Sequence, residues 1–153
     1  MKRTFAFLMT AFVATALAVT SCSPIKDAPD KKDTVEFEAT LNGGQEVPSN
    51  ASSATGTMTG TYNKPTKELS YTVNYTGLTP TAGHIHLAPG GPGTNGGVII
   101  PFPSLTSPIS GRATLTQPQE NALMEGRLYV NLHTAAYPGG EIRGNIMRVK
   151  FEN

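Results

Sequence analysis

Val35-Glu36-Phe37-Glu38-Ala39-Thr40-Leu41 alternates apolar and polar side chains without a break. Successive side chains of an extended chain point to opposite faces. Val35, Phe37, Ala39 and Leu41 therefore share one face and Glu36, Glu38 and Thr40 the other, which describes a strand buried on one side. Residues 69–76 repeat the pattern with Leu69, Tyr71, Val73 and Tyr75. Residues 55–62 alternate threonine with smaller or apolar partners, and Pro65 and Lys67 lie in the turn between these two runs. A hairpin is predicted.

Working outward, residues 83–88, 97–102, 109–116, 127–134 and 141–149 read as further short strands, separated by Gly, Pro and Asn. About eight strands at this spacing predict an all-β fold, written here as an antiparallel β-sandwich. One interruption has helical grammar: Pro118 near a start and Gly126 just past an end predict one short helical segment.

The chain has 153 residues, one domain's worth. Charged residues are 15% of it, against about 25% in an ordinary soluble domain, and the formal net charge is +1. That balance offers no basic footprint for nucleic acid. The single cysteine, Cys22, excludes an intramolecular disulfide and any cysteine-based zinc finger.

The first residues read as an address. Lys2-Arg3 followed by an uncharged run rich in Ala, Phe, Leu and Val has the form of a secretory signal peptide, and is short for a membrane span. Its end, Val19-Thr20-Ser21-Cys22, resembles the bacterial lipobox. That resemblance implies a lipoprotein signal peptide over 1–21, lipidation of Cys22 and, over 22–34, a polar tether between membrane and domain. Several acyl chains anchor a protein stably where one does not. The expected location is the cell envelope, on a bacterial membrane, facing the periplasm or the exterior.

Chemistry concentrates in the three histidines. His84-Ile85-His86 lies in a predicted strand, so both imidazoles project from one face, about 6.6 Å apart along the chain, while Ile85 and Leu87 face the core. In residues 127–134 the core face belongs to Leu128, Val130 and Leu132, which places His133 on the outer face with Tyr129 and Asn131. If the two strands are neighbours, His84, His86 and His133 form a candidate site for copper or zinc with a position left open. Two solvated histidines and one bonded to a loop carbonyl are the alternative.

Glu141 and Arg143 share the outer parity of the last strand. They read either as a surface ion pair, worth roughly 0–1 kcal/mol, or as second-layer groups that orient His133. Glu46 lies in the turn Gln45-Glu46-Val47-Pro48, where loop structure explains the pattern. PGGPGTNGG at 89–97 lacks the Gly-Lys-Ser/Thr of a phosphate loop and reads as a mobile surface loop. No Gly-x-Ser-x-Gly elbow and no cysteine nucleophile is present in the stretch from residue 35 on.

Three stretches together resemble the CHRD domain, a module named from chordin and found in bacterial secreted proteins and lipoproteins. They are LNGGQEVP at 41–48, GLTPTAGHIH at 77–86 and LYVNLHTAAYPGGEIRG at 128–144. The resemblance covers residues 35–150 as one domain and implies a β-sandwich without a settled bacterial activity. Gly83 stands where the family usually has Ala, and Leu87-Ala88-Pro89 replaces Gly-Pro-Ala. His84-Ile85-His86 also resembles the copper-site His-x-His of Cu/Zn superoxide dismutase, but the chain has too few histidines for that enzyme's two-metal site. The expected role is a membrane-anchored binding or structural module rather than an enzyme. Its alternative is a copper- or zinc-binding domain, redox-active in its boldest form.

Overall fold

The computed structural model describes residues 33–150. The predicted signal peptide, Cys22 and all but the last two residues of the tether lie outside the described residues. Thr34, assigned to the tether, already belongs to the first strand.

Nine strands and one helix follow in order: β1 (Thr34–Asn42), β2 (Thr55–Asn63), β3 (Glu68–Thr76), β4 (Ala82–Leu87), β5 (Val98–Pro101), β6 (Ile109–Thr114), α1 (Gln117–Met124), β7 (Leu128–His133), β8 (Ile142–Asn145) and β9 (Met147–Arg148). Every strand pair is antiparallel. The all-β expectation and its single helical segment both hold.

The layering differs from two separate sheets. The strands form one hydrogen-bonded path, β5-β4-β7-β8-β1-β2-β3-β6, with β9 also against β1. β1 makes the path continuous. Along one edge it pairs with the whole of β2, and along the other Asn42 meets Arg143 of β8 while Phe37 and Glu38 meet β9. The sheet curls into a nearly closed, barrel-like shell whose edges are β5 and β6. Residues 102–108 run between those edges: the Phe102 amide donates to the Gly83 carbonyl on β4, the Ser107 hydroxyl accepts from the Tyr75 amide on β3, and the Tyr75 hydroxyl donates to the Leu105 carbonyl.

The inner face carries the core that alternation predicts. Val35, Phe37, Ala39 and Leu41 are buried on β1, Leu69, Tyr71 and Val73 on β3, and Ile85 on β4. The Thr116 amide at the start of α1 donates to the Gln119 side chain, and the helix buries Ala122 and Leu123 in the same core. β7 is exceptional because Leu128, Tyr129, Val130, Asn131 and Leu132 are all buried. Leu128, Val130 and Leu132 fill the interior, and something must cover the other face.

Candidate metal centre

Register across three strands builds that covered face. On β4, β7 and β8, His84 stands opposite Asn131, which stands opposite Arg143; one step along, His86 faces Tyr129 and Tyr129 faces Asn145. Ala82 pairs with His133. The strand adjacency that the sequence could only suppose is present, and it brings His84, His86 and His133 together. The imidazole centroids are 5.4 Å apart for His84–His86, 5.3 Å for His84–His133 and 5.9 Å for His86–His133. One candidate ligand atom from each lies within 4.8 Å of the others.

Hydrogen bonds fix which ring nitrogens face the gap. His86 Nδ1 lies 3.1 Å from the Gly96 carbonyl, and His133 Nδ1 lies 3.0 Å from the Pro138 carbonyl. A carbonyl only accepts, so each Nδ1 carries a proton, and Nε2 is the nitrogen from which either ring can offer a lone pair. Those two Nε2 atoms, with His84 Nδ1, are buried and without a protein partner. A donated N–H that leaves the opposite nitrogen bare is the usual arrangement of a metal-ligating histidine. Burial lowers the pKa of His84, helped by neighbouring His133. Burial also lowers that of His86; the Gly96 carbonyl opposes this, and His84, His133 and Arg143 add to it. Both rings are therefore held toward the neutral, lone-pair-bearing form that a metal requires.

The loop at 89–97 is the cover: it is the surface loop expected, and residues 94–96 of it are tied to the sheet. Arg143 holds it: one guanidinium nitrogen donates to Asn95 Oδ1 at 3.0 Å and another to the Thr94 carbonyl at 2.8 Å. Asn95 in turn donates to the Val47 carbonyl, and the Gly96 amide donates to the Tyr129 hydroxyl. A Cβ at Gly96 would lie 1.6 Å from the Leu87 carbonyl oxygen. Only glycine at 96 can pass so close to Leu87 and bring the Gly96 carbonyl onto His86.

Arg143 and Glu141 do not form the surface ion pair that parity suggested. Arg143 is 0% exposed, with its guanidinium 3.6 Å from the centre of the Tyr129 ring, and that ring stacks on His86 at 4.9 Å and 9°. Glu141 is buried too, and its two carboxylate oxygens accept from the Ser52 and Thr134 hydroxyls. The error arose from treating the outer face as solvated. The group that orients His133 is the Pro138 carbonyl, and Arg143 reaches His86 through Tyr129.

Sequence reasoning passed over Glu46, which is 7% exposed and packs by Asn131 and Gly140. Gly140 has φ +133° and a Cβ there would come within 2.6 Å of both side chains, so glycine is required twice over. Burial pushes the Glu46 carboxyl up to about 7, against the opposing pull of Arg143, Asn131 and the Val47 backbone. A carboxyl that binds its proton more tightly in the fold than in the unfolded chain loses stability as pH rises between its two pKa values. From 4.5 to about 7 the loss amounts to about 3 kcal/mol at 1.36 kcal/mol per unit. Glu46→Gln removes this contribution, while His84 and His86 are common to both proteins: in chemical denaturation from pH 4 to 8 the variant should gain stability relative to the parent as pH rises. An identical pH profile in both would refute the assignment to Glu46.

A family model described as the CHRD domain matches residues 37–146. No curated protein matches the chain, and no solved structure does either.

Proposed function

The chain belongs to the CHRD domain family, and we propose that it is a membrane-anchored domain that binds one transition-metal ion, copper or zinc, through His84, His86 and His133. The observation that carries this reading is the meeting of three histidines that each offer a ligand atom within 4.8 Å of the others and each bury one ring nitrogen without a partner. Buried polar atoms without partners are costly, by about 1–3 kcal/mol each. An ion at 2.0–2.1 Å from each nitrogen would satisfy all three at once, with nitrogens drawn to about 3.3 Å apart in a tetrahedral set. Side-chain rotation supplies that contraction. Sulfur is absent from the set, and imidazole suits zinc and copper alike.

The test is metal content. Purified protein exposed to zinc or copper and then dialysed should keep near one equivalent, and a His84→Ala, His86→Ala, His133→Ala variant should keep none. Equal retention by both would defeat the reading. Anchoring rests on Lys2-Arg3, the apolar run and the lipobox-like end at Cys22. Cys22→Ser should shift the protein from the membrane fraction to the soluble fraction, and an unchanged distribution would remove the lipid anchor from the proposal.

A further inference from the structure

The three imidazoles bring no charge to a bound ion. Among the described residues no aspartate or glutamate joins the cluster, so a divalent ion held there keeps both its positive charges. Close by is a third. Arg143 is wholly buried, and the acceptors that hold its guanidinium, the Asn95 side chain and the Thr94 carbonyl, are neutral. Its Nε has no partner, and its charge reaches His86, where it disfavours the protonated ring. Glu141, next but one along the chain, spends its two oxygens on hydroxyl donors. Glu46 is the acid that faces Arg143.

Three nitrogens also leave the coordination of copper or zinc incomplete. His84 and His133 are half-buried and His86 is buried, so the shorter approach from solvent to the remaining position runs past His84 and His133, away from Tyr129 and the loop at 89–97 that lie against His86. In such a partly buried setting, attraction between opposite charges is several times stronger than in bulk water. Resting on the metal reading above, we infer that the open position selects a small anion from solution, of the carboxylate or hydrogencarbonate class, rather than a neutral or cationic ligand.

The experiment uses cobalt(II), whose visible absorption reports on its coordination, loaded into the purified protein and titrated with azide and with formate at pH 7. The expected result is a cobalt spectrum that depends on the three histidines and shifts with single-site saturation on adding either anion, while acetonitrile added as a neutral competitor binds more weakly than azide. Histidine-dependent cobalt bands that do not respond to either anion would overturn the anion inference and leave the metal reading intact. No histidine-dependent cobalt spectrum would overturn both. Glu46→Gln, which removes the acid facing Arg143, should tighten azide binding several-fold at pH 8; unchanged affinity would overturn the field of Arg143 as the selecting force.

Discussion

A Val130→Asp chain does not fold. Val130 is 0% exposed at the middle of β7, between Ile85 of β4 and Gly144 of β8, and its side chain points into the barrel interior with Leu128 and Leu132. An aspartate there meets no cation and no donor set, and an uncompensated buried charge costs several kcal/mol. Total stability is about 5–15 kcal/mol for a domain of this size. The loss therefore consumes most of it. Val73→Asp, at an equally buried position of β3, has the same outcome. The measurement is thermal unfolding followed by circular dichroism: the parent melts cooperatively, and neither variant shows a transition. A cooperative melt near the parent temperature would mean that the strand parities are wrong.

Those parities were the legible part of the fold. Alternation in β1 and β3 shows in the sequence because one face of each strand meets water and the other the core. In β7 the aliphatic set Leu128, Val130 and Leu132 likewise identified the inner face and put His133 opposite to it. The single, nearly closed path of the sheet was not legible. A strand of a sandwich and a strand of a barrel alternate in the same way, and the continuity through β1 depends on pairings with β8 and β9 from the far end of the chain.

The site was half legible for a related reason. His84 and His86 converge through local geometry alone, two residues apart on one strand. His133 joins them only because β4 and β7 are neighbours, with β5, β6 and α1 between them in sequence. Arg143 was misread because its covering partners, Thr94 and Asn95, lie nearly fifty residues away. Parity tells which face a side chain takes, and it says nothing about what later closes over that face. Glu46 was read as an ordinary turn residue for the same cause: its burial by Asn131 and Gly140 is a tertiary event.

Loading the three-histidine site should raise thermal stability sharply. An ion that binds the fold and not the unfolded chain stabilises the fold by an amount set by its concentration over its dissociation constant, about 4.1 kcal/mol at a thousandfold excess. For a domain of this size that corresponds to a rise in Tm of about 10 °C or more. The three ligands come from two strands, β4 and β7, that are neighbours in the sheet but far apart in sequence, so global unfolding must scatter them and little affinity should survive in the unfolded chain. Chelation reverses the gain, and the triple alanine variant lacks it. Acid should erase it as well. His84 and His86 have folded pKa values below the ordinary 6.5, so below that pH the unfolded chain takes up protons that the fold resists, and stability falls; protons also displace the metal from its ligands. The difference in Tm between metal-loaded and chelated protein should therefore be full at pH 7.5 and shrink toward zero by about pH 5, where protonation of imidazole dominates. A Tm indifferent to zinc and copper at pH 7.5, in protein that is folded and has its histidines intact, would show that three bare nitrogens in one gap do not make a metal site here.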